Sequence, residues 1–341
     1  QTRKEPGAAG VALVCAMMHD MTSDLDRRTL LAALPLLCLA PALRAQSWPA
    51  RPIRLVVPFP AGGATDLLAR TIAQGLGNSL GQPLVVDNRA GAGGTLGSGE
   101  VAKAAADGHT LLIATSSTHS VAPHLSAKLA YDAQADFTPI AQVATATNIL
   151  LVPKDLPVTT VKEFIAYVKA RPGQLNYATS GNGTIVHLTT EAFKAQAGVF
   201  VVHIPYRGTA LAIPDLVSGK VHMLFDSVVS GLPHVKDGKL KALAVTSAKR
   251  SALVPELPTL AESGLAGFES TTWFGLYGPK GLSAEITNRI AAELQRALAN
   301  PDVAERFAKL GAEPVADVGP AKFAAMVKGD SARWAVLIRE R

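Results

Sequence analysis

Residues 53–66 read IRLVVPFPAGGATD, and this stretch decides the fold class. IRLVVPF (53–59) is an almost wholly apolar run of strand length, the pattern of a strand covered on both faces. Gly62 and Gly63 supply a tight turn directly after it. Leu68, Ile72, Leu76 and Leu80 then recur every fourth residue, one helical stripe facing a sheet. Strand, glycine turn and helix make the first unit of an α/β architecture with parallel sheets. PLVVDN (83–88) and TLLIATS (110–116) repeat the strand pattern, with the alanine-rich segment 98–106 as the expected crossover helix.

A second series starts at NILLVP (148–153). Thr160 and Glu163 form a capping box ahead of Val161, Phe164, Ile165 and Val168. LNYATS (175–180), FVVHIPY (200–206), VHMLFDS (221–227) and LKALAVTS (240–247) are further strands, and WFGLYGPK (273–280) precedes helical spacing at Ile286, Ile290 and Leu294. No repeat of solenoid length and no Ser-, Gly- or Pro-rich linker divides the chain. Two series predict two α/β lobes, one from residues 46–147 plus 248–341 and one from 148–247. The crossings are expected near 148–153 and 240–247, and the ligand cleft between lobes, beyond the carboxyl ends of the strands.

The chain has 341 residues, room for two ordinary domains, and its 48% hydrophobic content excludes global disorder. Its 33 Lys and Arg against 27 Asp and Glu leave a net charge of +6, without any basic block. That argues against a nucleic-acid partner, which demands a basic stripe. Two cysteines, Cys15 and Cys38, are too few for a disulfide framework or a zinc site.

Both cysteines lie ahead of residue 46, Cys38 in a segment that reads as an export signal and Cys15 upstream of it. TLLAALPLLCLAPAL (29–43) is short, broken by Pro35 and Pro41, preceded by Arg27-Arg28 and followed by Ala45. Such a run suits a secretory signal over residues 21–45, starting at Met21 and cleaved after Ala45, better than a membrane span. Residues 1–20 then lie upstream of it, with Met17 and Met18 as alternative starts. The paired arginines fit either a twin-arginine or an ordinary Sec signal. Leu37 argues against lipid attachment at Cys38. The exported chain would carry no cysteine, which suits an oxidising compartment without requiring disulfides.

Two loops point to anion capture. Pro60, Ala61, Gly62, Gly63, Ala64, Thr65 and Asp66 connect a strand to a helix whose free N–H groups and dipole attract negative charge without a basic side chain. A plain turn capped by Thr65 or Asp66 is the alternative. Ser180, Gly181, Asn182, Gly183 and Thr184 repeat the arrangement before a helix expected over 185–197. Facing each other across the cleft, the two loops would clamp an acid. Arg89 to Gly97 imitates a dinucleotide fingerprint but has displaced glycine spacing and lacks the acidic partner.

No GxSxG, HExxH or CxxC occurs, and the histidines 109, 119, 124, 187, 203, 222 and 234 form no metal-ligand pair on a helical face. No catalytic residue, metal or cofactor is therefore expected. His187, one turn into the helix after the second loop, is the exception to watch. Paired with Ser180 it would make an exported hydrolase, the rival reading, though no orienting carboxylate supports it. Tyr206, Arg207 and Asp226 end two more strands. Arg207 either pairs a ligand carboxylate or sits in solvent, and Asp226 either meets a ligand donor or caps the next helix.

In WPARPIRLVVPFPAGGATD (48–66), VVDNRAGAGG (85–94), LNYATSGNGT (175–184), VHIPYRGTA (202–210), LAVTSAKR (243–250) and LPTLAESG (257–264) the chain resembles the Bug-type periplasmic receptors of tripartite tricarboxylate transporters. The resemblance implies a two-lobed type II periplasmic-binding-protein fold that captures a small carboxylated solute. It implies a ligand carboxylate held, often through waters, by the 60–66 and 180–184 loops. Ser116, Ser117 and Asp226 resemble contacts that vary with ligand. Ile185 and Val186 stand where the family often has small hydroxyl residues, which implies either a more apolar cleft, favouring aliphatic or aromatic acids over citrate, or helix packing. The expected protein is a monomeric receptor, not an enzyme, whose partners are an organic acid and the membrane subunits of the transporter.

Overall fold

The computed structural model describes residues 48–126, 128–315 and 319–339. The export-signal reading of residues 21–45 and the upstream residues 1–20, with Cys38 and Cys15, lie outside the described residues. Strand β1 (Ile53–Val57) is followed by α1 (Ala64–Leu80), β2 (Leu84–Asn88), α2 (Thr95–Ala102) and β3 (Thr110–Thr115). A π-helical turn over Ser117–Val121 and the short α3 (Ala122–Leu125) lead to β4 (Phe137–Pro153). Then come α4 (Val161–Lys169), β5 (Asn176–Thr179), α5 (Ile185–Ala197), β6 (Val202–Pro205), α6 (Thr209–Val217), β7 (Met223–Ser227), α7 (Val228–Lys236) and β8 (Leu240–Val245). The chain closes with β9 (Thr271–Pro279), α8 (Ala284–Ala299), α9 (Pro301–Leu310), β10 (Glu313–Pro314) and α10 (Pro320–Arg339).

The strands follow one another as β2-β1-β3-β9-β4-β7-β5-β6, with β8 and β10 also pairing to β4. The βα units pair in parallel, β1 with β2 and β3, and β5 with β6 and β7. The strands that join the two halves do not. β9 runs antiparallel to β3 and β4, and β4 runs antiparallel to β7 and β8. β4 is the spine of the molecule: residues 137–147 pair with β9, and from Asn148 onward its partners are β7 and β8.

Only 148–153 of this strand is legible in the sequence. Register shifts between Pro139 and Ala141 and between Gln142 and Ala144 break its alternation, and Pro139 disguises it further. The return crossing is not the 240–247 run alone. After β8 the chain doubles back: the Val245 amide donates to Pro258 O at 2.9 Å, and the Leu260 amide to Val245 O at 3.0 Å. Only at Thr271, opposite Thr147, does it re-enter the first half.

One large apolar cluster runs through both halves, from Ile53, Leu55 and Leu68 to Tyr177, Phe193 and Phe225. A second, around Val56, Leu112, Tyr277 and Phe323, covers the other face of the first half. Both faces of β1 and β3 are thus buried, which is why their sequences are continuously apolar rather than alternating.

Candidate functional site

The cleft lies where the carboxyl ends of the strands converge. Its walls are Phe59, Pro60, Gly63, Ala64 and Thr65 from the β1–α1 loop, Thr115 and Ser117 after β3, and Asn148 of β4. Opposite stand Ser180, Ile185 and Val186, then Gly208, Thr209 and Ala210, then Asp226 and Ser227, with Thr272 and Phe274 at the back. No lysine, arginine or histidine is among these residues, and Asp226 is the sole ionisable group.

Two helices open into this space without a side-chain cap. Gly63 at the start of α1 and Gly208 at the start of α6 offer no side-chain cap, and the first-turn residues Ala64, Thr65, Thr209 and Ala210 line the cleft, which brings both positive helix ends to it. The start of α5, expected to be the second anion-binding end, has two of its first-turn amides already bonded within the protein. Thr184 Oγ1 accepts from the His187 amide at 3.4 Å, and Ser117 Oγ accepts from the Ile185 amide at 3.0 Å. Within its loop the Gly181 amide donates to Thr179 Oγ1 at 3.2 Å and the Gly183 amide to His187 Nδ1 at 3.2 Å. Of Ser180 to Thr184, only Ser180 lines the cleft, while Gly181, Asn182, Gly183 and Thr184 build the loop behind it.

Asp66 is buried and turned to its own loop. It accepts from the Gly62 amide at 2.9 Å, from Arg70 Nε at 3.0 Å and from Asn88 Nδ2 at 3.0 Å. Burial opposes its ionisation, but these donors outweigh burial and hold the carboxyl below its usual range. Ala61 and Gly62 are exposed and outside the lining. Ser117 lines the cleft, whereas Ser116 is buried beside it. Tyr206 donates to Asp215 Oδ2 at 2.8 Å and Arg207 is exposed; neither lines the cleft.

His187 is likewise outside the lining. Its ring stacks on His203 at 4.3 Å, and its Nε2 lies 4.0 Å from Glu191 Oε1. Burial lowers its pKa. The pairing with Ser180 that a hydrolase needs is not made, because the imidazole Nδ1 takes the Gly183 amide.

Asp226 is 2% exposed. Oδ1 accepts from the Ser227 amide at 2.9 Å and Oδ2 from Ser230 Oγ at 2.9 Å. Burial pushes its carboxyl up to about 6, against the opposing pull of hydrogen bonds from Thr209, Ser230 and the Ser227 amide. Two residues missed by sequence reasoning complete the polar set. Asn148 Nδ2 and Thr115 Oγ1 are buried, line the cleft and have no hydrogen-bond partner within the protein. Asn148 was hidden inside a strand pattern. The uncapped start of α6 had a visible signal, Gly208 following a strand as Gly63 does.

The halves meet around the cleft mouth. A Cβ at Gly208 would overlap the Pro60 ring, and one at Gly93, held at φ +65°, would stand 3.1 Å from Asn182 O. Only glycine permits these close approaches.

Two α/β halves on a shared spine, with helix starts converging on a cleft beyond the strand ends, define a two-lobed periplasmic-binding-protein fold and the class of solute receptors. The chain belongs to the tripartite tricarboxylate transporter family receptor group, whose family model matches residues 68–341. It is 38% identical over 303 residues to Protein BugT of Bordetella pertussis, spanning 89% of this chain and 93% of that one. The solved periplasmic binding protein BugD superimposes with a TM-score of 0.83 at 37% identity, over 86% of this chain and 98% of that one. R. palustris Rpa4515, solved with adipate, superimposes with a TM-score of 0.83 at 38% identity, over 86% and 97% of the two chains. The protein is a periplasmic solute-binding receptor, and its family and structural neighbours are receptors rather than enzymes.

Proposed function

We propose that this receptor captures a small carboxylated solute in the cleft and delivers it to the membrane subunits of a tripartite transporter. The uncapped helix starts at Gly63 and Gly208, opening into a cleft without a cationic side chain, carry this reading. Neutral dipoles hold an anion with less desolvation than a buried lysine or arginine would require. Ser117, Ser180, Thr65 and the unpartnered Asn148 amide and Thr115 hydroxyl supply further hydrogen bonds. The adipate in Rpa4515 supports a carboxylate ligand.

Ile185 and Val186 line the cleft and make it more apolar on the α5 side, which favours an aliphatic or aromatic acid over citrate. The expected lobe boundary at 247–248 moves to Ser270–Thr271, so the lobes are residues 48–147 plus 271–341, and 148–270. Residues 254–270 act as a strap, because Gln196 Nε2 of α5 donates to Ala266 O at 2.7 Å and Leu260 bonds to β8. Ligand bridging the lobes biases the hinge at Thr147–Asn148 and Ser270–Thr271 toward the closed form that the membrane component recognises. The receptor acts as a monomer, reaching the periplasm through a signal cleaved near Ala45. Among the described residues no helix is long and apolar enough to cross a membrane.

Thermal unfolding with mono-, di- and tricarboxylates tests the proposal, since a ligand of the folded state raises the melting temperature with concentration. Consumption of ester substrates with no acid raising the melting temperature would overturn it.

A further inference from the structure

Asp226 poses a problem that capture of a carboxylate does not solve. It is a fully buried acid lining a cleft for an anion, and no lining side chain carries a positive charge to offset it. Its contacts are the Ser227 amide, Ser230 Oγ and the Thr209 hydroxyl. A carboxyl group has about four acceptor positions, so three donors leave room for one more. In the sheet, Asp226 pairs with Ile149 and Ser227 with Asn148, which brings the unpartnered Asn148 amide to the same end of the cleft.

Resting on the carboxylate reading above, we propose that this receptor selects acids with at most one net negative charge whose far end donates a hydrogen bond to Asp226. Hydroxyl-, amide- or ammonium-bearing monocarboxylates meet this description. The carboxylate end sits on the helix starts of α1 and α6, and the donor end sits between Asp226 and Asn148. A dianion places a second carboxylate against a buried carboxyl with no cation nearby, an arrangement penalised by both repulsion and desolvation. An acid ending in a methyl group leaves the Asp226 acceptor unmatched.

Calorimetric titration of the full chain at pH 7.5 with two matched series tests this. One series is adipate, hexanoate, 6-hydroxyhexanoate and 6-aminohexanoate; the other is succinate, butanoate, 4-hydroxybutanoate and 4-aminobutanoate. In at least one series the hydroxy or amino acid is expected to bind about tenfold or more tightly than the dianion and the plain acid. Asp226→Asn is expected to shrink that preference about tenfold and to improve dianion binding.

A wild-type protein that binds adipate or succinate at least as tightly as the donor-bearing acids overturns the inference and leaves the carboxylate reading intact. So does an Asp226→Asn variant that weakens every acid equally, the mark of a residue that only holds the start of α7. Absence of binding by all eight acids overturns both. The wild-type ranking decides the matter even if Asp226→Asn does not fold.

Discussion

Asp226 carries a cost in the folded protein that makes it measurable. Its carboxyl is pushed up to about 6 by burial, above the ordinary 3.8. Between about pH 4 and 6 the folded chain holds a proton that the unfolded chain releases. This group's contribution to stability therefore falls as pH rises through that window. Asp226→Asn removes the dependence. Urea unfolding is expected to show the variant gaining on the wild type by about 3 kcal/mol between pH 4 and 7, an order-of-magnitude figure from the two-unit shift. A difference that does not change with pH would contradict the assignment. Asp66 has the opposite sign, since its lowered pKa stabilises the fold above its usual range and loses that contribution in acid. Asp66→Ala removes the shared acceptor of the Gly62 amide, Arg70 Nε and one Asn88 Nδ2 hydrogen and is expected to cost about 2 kcal/mol in urea unfolding. The sequence could flag Asp226, an acid ending the apolar run MLFD, but not which atoms surround it. Asn148 gave no signal at all, because one amide at the head of NILLVP looks like a strand terminus.

At the scale of elements, local chemistry was legible wherever it was self-contained. The capping box of Thr160 and Glu163 forms as read, with Thr160 Oγ1 accepting from the Glu163 amide at 3.1 Å. Thr160→Ala is expected to lower stability by about 1 kcal/mol, as read by denaturant midpoint. Helix α5 spans 185–197 as its flanking SGNGT loop suggested. What a loop's amides bond to depends on distant residues, and there the sequence reading stopped. The Gly181 and Gly183 amides turn inward onto Thr179 and His187, and Ser117 from the other half takes the Ile185 amide. The open helix start is that of α6. Gly208→Ala would press a methyl group into the Pro60 ring at the cleft mouth. It is expected to weaken binding of any cleft ligand about tenfold while shifting the ligand-free melting temperature by only a few degrees. Retention of full affinity would show that the two loops need not meet.

For the whole molecule, the α/β class followed from strand-turn-helix units whose periodicity is local. The joining of the halves did not, because it depends on a 17-residue strand whose first part is broken by bulges and whose antiparallel partner β9 is far away in sequence. That strand and β9 place Asn148 and Thr272 in the cleft beside loops from both halves. The candidate site is therefore built jointly by loops from both halves.

In the proposed receptor, uncapped helix starts with no basic side chain grip a carboxylate in the cleft. The most direct measurement is the melting temperature of the full chain with each of the panel acids and with the primary amide of the same carbon skeleton. A concentration-dependent rise is expected with the acid and little or none with its amide. An amide that stabilises as well as its acid, or a panel in which no acid stabilises, would contradict it.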